Sequence, residues 1–202
     1  MDNLTLDLKT TALVVIDLQK GIAERTGLAP EDGQTIVKRN NELLAQLKNT
    51  PALIALIRVK NNGGERFTPA TDQVSLGSNQ PSQDFTAYST AIANDVMADN
   101  VIKVNKHNWG AFYGTDLDVQ LRRRGIKTVI LTGIATSIGV DTTAREAAQA
   151  GYDLILVPEA MTDMSEEAHD LTVKHIFPRL GKIRTLAAIE AAIDLAKAAE
   201  LH

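Results

Sequence analysis

Asp17 ends the apolar run at residues 12–17, within VVIDLQKG. A carboxyl group there would be partly stripped of water and could give or take a proton. Lys106, in VNKHNWGAFYGTDL, places a cation two positions after another apolar run. The third candidate is LTGIATSIGVDTTAREAAQAGY, residues 131–152, which reads as a strand passing straight into a helix. Thr136 to Gly139 fill the junction, where the N–H groups at a helix start favour negative charge. The chain contains no cysteine, so a thiolate nucleophile is excluded by composition. Each residue also has a plainer use. Asp17 could cap the next turn or pair with Lys20, Lys106 could be a solvated loop lysine, and Gly139 could be a helix-start glycine chosen for packing.

These groups can act together only if the fold converges them. Short apolar runs at 12–17, 52–59, 101–104, 127–131 and 152–157, several rich in β-branched residues, read as buried strands. Ile36, Val37, Leu43, Leu44 and Leu47 share one helical face, and Leu117 and Leu121 lie four apart behind Thr115, a candidate N-cap. Ser165 followed by Glu166 and Glu167 opens another helix, with Gly181 after its last turn. Residues 183–185 offer a sixth strand before an alanine-rich helix at 186–200. This alternation predicts an α/β fold, a three-layer α/β/α sandwich built on a Rossmann-like, doubly wound sheet of about six parallel strands in a single domain, 1–202. In such sheets ligands collect beyond the carboxyl ends of the strands, where the strand order reverses, and all three candidate sites lie at strand ends. Residues 60–86 are polar, rich in glycine and proline, and without periodicity; so long a loop is expected to serve as a lid, the alternative being a disordered insertion.

Composition narrows the partners. A length of 202 residues, with 44% hydrophobic and 23% charged residues, suits an ordinary globular domain. The net charge of -4 gives no general attraction for nucleic acid or anionic membranes, and no apolar run reaches the ~18 residues of a membrane span. The N-terminal stretch lacks the basic and apolar regions of a secretion signal, so a cytoplasmic protein is expected. The four histidines, His107, His169, His175 and His202, lack metal-ligand spacing; no metal or other cofactor is expected. His107, beside Lys106, could contact a ligand. No G-x-G-x-x-G follows the first strand, which argues against a dinucleotide-binding module.

Three separate blocks resemble the isochorismatase-like hydrolases, the cysteine hydrolase superfamily, over residues 11–188 or nearly so. Asp17 and Gln19 match the family's D-x-Q. Lys106, Ala111, Phe112, Gly114, Thr115 and Leu117 match its lysine block. Gly133, Ile134, Ala135, Thr136, Gly139, Val140, Thr143, Ala144, Ala147, Gly151 and Tyr152 match its nucleophile block, except that Gly139 stands where the family carries cysteine. Ser137 stands where an aspartate is frequent, and the zinc ligands of the nicotinamidase branch have no counterpart in the KNNGG that follows Val59.

The resemblance implies a cis peptide between Ile134 and Ala135, backbone donors at Ala135 and Gly139 for an oxyanion, and a catalytic set of Asp17, Lys106 and Gly139. Gln19, Ile134, Ala135, Thr136, Phe112 and Arg58 are the expected substrate-binding residues, with Lys60 and Arg66 as further cations beside the loop. It also implies a small-molecule substrate and a homodimer or homotetramer. Isochorismatases proper share the glycine-for-cysteine exchange and hydrolyse a vinyl ether without a covalent intermediate. The expected activity is therefore acid-assisted hydrolysis of a small carboxylated metabolite, such as isochorismate giving pyruvate and a diol. A lysine beside Asp17 should lower its pKa, whereas an acid at neutral pH needs it raised. The alternatives are a catalytically degenerate relative that binds a metabolite, and a hydroxyl nucleophile at Thr136 or Ser137, neither of which sits at the helix-start position.

Overall fold

The computed structural model describes residues 4–60, 70–72 and 84–200. In chain order the elements are β1 (Thr11–Ile16), α1 (Lys20–Ala23), α2 (Gly33–Leu47), β2 (Leu53–Val59), β3 (Val101–Lys106), α3 (Leu117–Arg123), β4 (Thr128–Ile134), α4 (Asp141–Gln149), β5 (Asp153–Thr162), α5 (Glu166–Leu171), β6 (Lys182–Ile183) and α6 (Leu186–Ala199). The six strands form one sheet in the order β3-β2-β1-β4-β5-β6, and every pairing is parallel. Helices cover both faces, giving the expected three-layer sandwich.

Period-two alternation along β1 sorts its side chains between two cores. Leu13 and Val15 pack with Leu43, Leu44 and Leu47 of α2 and Ile189 and Ile193 of α6. Ala12, Val14 and Ile16 face the other way, against Leu117 and Leu121 of α3 and Ala144 and Ala147 of α4. A central strand buried on both faces favours apolar side chains, hence ALVVI, and its one polar residue, Thr11, donates its hydroxyl to Asp7 O at 2.7 Å. Asp32, Ser165 and Thr185 cap α2, α5 and α6 by accepting from the backbone N–H three residues on, satisfying donors that have no partner inside the helix.

Several boundaries differ from the sequence expectation. β3 runs on to Lys106, because Arg58 and Val59 pair with Asn105 and Lys106; as an edge strand half exposed to water it alternates polar and apolar residues and lacks an apolar signature. β5 continues past Pro158 to Thr162. Proline has no ladder N–H to give, and the register shift between Leu131 and Gly133 lets β5 bulge there and rejoin β4 at Met161. β6 is shorter and earlier than residues 183–185, since Thr185 is taken as the cap of α6. Asp116 occupies the N-cap position of α3, one residue after Thr115, whose hydroxyl accepts from the Leu117 N–H. After α5 the chain continues as a π turn, Thr172–Ile176, and a 3₁₀ turn, Phe177–Arg179. Most of residues 60–86, including Arg66, and also His202, lie outside the described residues, so the lid expectation lies there too. Among the described residues no helix is long and apolar enough to cross a membrane.

Candidate active site

The strand order reverses between β1 and β4, since β1 is followed in space by β2 on one side and by β4 on the other. Their carboxyl ends therefore diverge into a crevice. Asp17 is the first residue beyond β1. Its backbone N–H donates to Ile57 O at 3.0 Å, extending the ladder, while its φ of 52° turns the chain sharply aside. That left-handed conformation is uncommon for a residue with a side chain and costs backbone strain, least so for Asn and Asp. On the other side Gly133 lies at φ 117°, and a Cβ there would meet Ile16 O at 2.1 Å; only glycine lets the ends of β1 and β4 come so close.

Lys106 reaches the same point from β3, two strands away. Its Nζ lies 2.8 Å from Asp17 Oδ2, and the side chains are 1% and 6% exposed. It also donates to Trp109 O at 2.6 Å. Asp17 Oδ1 is buried without a hydrogen-bond partner. Burial pushes the pKa of Asp17 above the ordinary carboxylate range, outweighing the downward pull of the Lys106 cation and of its hydrogen bond. Opposing pulls were expected from the sequence; the depth of burial decides between them.

The third edge is the turn after β4. The Ile134–Ala135 peptide is cis, and Thr136–Val140 form a single π turn leading into α4. An ideal Cβ on Gly139 would lie 3.4 Å from both Asp17 Oδ2 and Lys106 Nζ and 3.2 Å from Ile16 Cγ2. A side chain at 139 would thus start directly against the acid and the cation. Asp17, Lys106, Ile134, Ala135 and Gly139 line one cavity of about 160 Å³. Among the described residues, Ile22, Arg25, Val59, Phe85, Asn108, Trp109, Ile138 and Met164 also line it.

Four residues expected to hold substrate do not line this cavity. Gln19 is fully buried, its amide donating to Val59 O and Phe85 O at 3.1 Å each and accepting from Val59 N–H at 2.8 Å, so it ties the end of β1 to the segments beside it. Arg58 is committed to Asn105 Oδ1 and Thr86 O and lies over the Tyr88 ring. Phe112 packs with Tyr152 in the core under α3 and α4. Thr136 bonds Thr162 O and His169 Nδ1 beneath the π turn; burial lowers the His169 pKa, favouring the neutral ring there. Lys60 does not line the cavity either, and neither does His107.

Three other described residues support the site, of which Asp163 and Glu146 are not singled out by the sequence. Asp163, just past β5, is 2% exposed and accepts from Ser137 N–H at 2.6 Å and Met164 N–H at 2.7 Å, holding the π turn. Glu146 on α4 accepts from Phe112 N–H at 3.0 Å, and Thr143 accepts from Ala111 N–H at 3.2 Å while donating to Gly139 O at 2.6 Å. One helix thereby braces both Gly139 and the loop that holds Lys106. Thr143 carries a motif signal, whereas Glu146 and Asp163 look like ordinary surface acids in sequence.

Fold and site together define a doubly wound α/β protein with a buried acid–lysine pair at its switch-point crevice. Residues 11–188 match the Isochorismatase domain family. The chain is 42% identical over 187 residues to the uncharacterized isochorismatase family protein YwoC of Bacillus subtilis, covering 92% of this chain and 95% of that one. To YecD of Escherichia coli O157:H7, also an uncharacterized member, it is 38% identical, covering 92% and 97% respectively. A solved isochorismatase family protein from Burkholderia thailandensis superposes with a TM-score of 0.84 at 38% identity, covering 94% of this chain and 98% of that one. The chain belongs to the isochorismatase family of hydrolases.

Proposed function

We propose that this site hydrolyses a small carboxylated vinyl ether, of which isochorismate is the model, by acid catalysis without a covalent intermediate. The observation that carries this reading is the Asp17–Lys106 pair set against the empty Cβ position of Gly139. In the cysteine members of the family that position holds a nucleophile; here it leaves volume for substrate between an acid and a cation.

The protonated Asp17 carboxyl gives its proton to the terminal methylene carbon, which becomes a methyl group as the double bond's electrons form the new C–H bond. The adjacent carbon, bonded to the ether oxygen, becomes an oxocarbenium ion. Water adds to it and loses a proton to the Asp17 carboxylate, and the resulting hemiketal breaks its C–O bond to release pyruvate and the alcohol. Lys106 stabilises the carboxylate or ether oxygen of the substrate, and the N–H groups of Ala135 and Gly139 serve as donors at the helix start. A pKa raised by burial keeps part of Asp17 in the acid form at higher pH than a solvated carboxyl would allow.

The test is pyruvate release from isochorismate. Wild-type protein releases it, and Asp17→Asn, which cannot donate the proton, loses about a thousandfold in kcat. A wild-type preparation that releases no pyruvate removes this reading. The absence of a thiol also favours a second one, a catalytically degenerate member that binds a metabolite; tight binding with no turnover across vinyl ethers, amides and esters would establish it.

A further inference from the structure

We infer that Arg25 is the residue that selects a carboxylate-bearing substrate, by holding the anion at the mouth of the Gly139 cavity. The inference rests on the assignment of that cavity as the substrate site. Of the described residues lining it, Asp17, Lys106 and Arg25 are ionisable. Lys106 is buried and already bonded to Asp17 at 2.8 Å and to Trp109 O at 2.6 Å, so among the described lining residues Arg25 is the cation with no charged partner. Arg25 is exposed, and its side chain meets Met164 Sδ at 4.0 Å, a neutral and weak partner that lines the same cavity. No described carboxylate lies within ion-pair distance of it.

Two other described cations near the site are engaged. Arg58 is held by Asn105, Thr86 and Tyr88, and Lys20 pairs with Asp84 at 2.8 Å. An arginine fork presents two parallel donors that match both oxygens of a carboxylate, so a cavity ending in such a group favours an anion over its uncharged isostere. Arg25 follows α1, the short helix that leads away from Asp17, so the acid and the anion anchor belong to one local segment. The substrate then spans from its reacting carbon at Asp17 to its carboxylate at Arg25.

Trp109 lines the same cavity and is the only tryptophan in the chain, so its fluorescence reports occupancy directly. The probes are cyclohex-1-ene-1-carboxylate and its carboxamide, equal in shape and different in charge. Wild-type protein is expected to bind the acid about tenfold more tightly than the amide; Arg25→Gln abolishes the preference, and Arg25→Lys retains part of it. With isochorismate, Arg25→Gln raises KM about tenfold and leaves kcat within about twofold, the pattern of a lost binding contact away from the reacting bond. Equal binding of the two probes by wild type, no binding of the acid at millimolar concentration, or a preference that survives Arg25→Gln would overturn the assignment. A wild type that prefers the acid but releases no pyruvate sinks the proposed reaction and leaves Arg25 as the anion anchor.

Discussion

Lys106 keeps its ammonium where 1% of the side chain meets solvent, a position tolerable only because Asp17 and Trp109 O accept its hydrogen bonds. Removing one member of a buried pair strands the other. Lys106→Met is therefore expected to lose about 3 kcal/mol of stability in urea unfolding at neutral pH. Its pH dependence has a definite sign. Without the lysine, Asp17 keeps the upward push of burial and loses the downward pull, so its folded pKa exceeds the unfolded value by more. A group whose folded pKa is raised contributes its stability below the unfolded pKa and loses it as pH rises to the folded one, so the penalty should be larger at pH 8 than at pH 5. The same shift governs turnover in the wild type. The acid form of Asp17 is present below its folded pKa, so kcat should hold on the acidic side and fall as pH rises through that raised value, with no rise in its place. A profile of kcat against pH checks this, and a kcat that increases with pH would assign Asp17 to base catalysis.

Helix α4 acts as a unit. Its first turn carries Gly139 O to Thr143, and its next presents Glu146 to the Phe112 N–H, so the loop from Lys106 to Phe112 hangs from the helix that starts at the site. Glu146→Ala leaves that half-buried N–H without its charged acceptor; it should cost about 1–3 kcal/mol in denaturant unfolding and lower kcat by loosening the Trp109 carbonyl that holds Lys106. Unchanged stability would show that the loop is positioned by other contacts. The elements easiest to recognise in the sequence were those whose side chains meet only apolar neighbours, as in β1 and β2. β3 was read two residues short because an edge strand mixes Lys103 and Asn105 with apolar residues. The end of β5 was hidden by Pro158, which is permitted there by a bulge that no local pattern encodes.

At the scale of the whole molecule, two cores on opposite faces of the sheet hold the crevice open between them. The site sits at the carboxyl edge, so its geometry depends on how the two faces set the separation of β1 and β4. Leu44 of α2, 1% exposed, packs beneath one face. Leu44→Ala should lose about 2–5 kcal/mol in urea unfolding while leaving kcat nearly unchanged in the protein that remains folded, because the site lies on the strands and on the opposite helices. A proportionate loss of kcat would mean that the crevice is set by α2.

From its own residues the sequence determined the alternation of strands and helices, the absence of a thiol, and the three strand ends at which Asp17, Lys106 and Gly139 stand, because burial periodicity and residue type are local properties. The family motif added their grouping. Tertiary structure alone decided which neighbours share the cavity. Gln19, Thr136, Phe112 and Arg58 belong to the same motifs or strand ends, yet their side chains are used up in hydrogen bonds and packing behind the wall. Arg25 and Trp109, which carry no signal in sequence, face the cavity instead. Whether a polar side chain is spent inside the scaffold or left to meet a ligand depends on partners distant in the chain, and only folding brings those partners within hydrogen-bond reach.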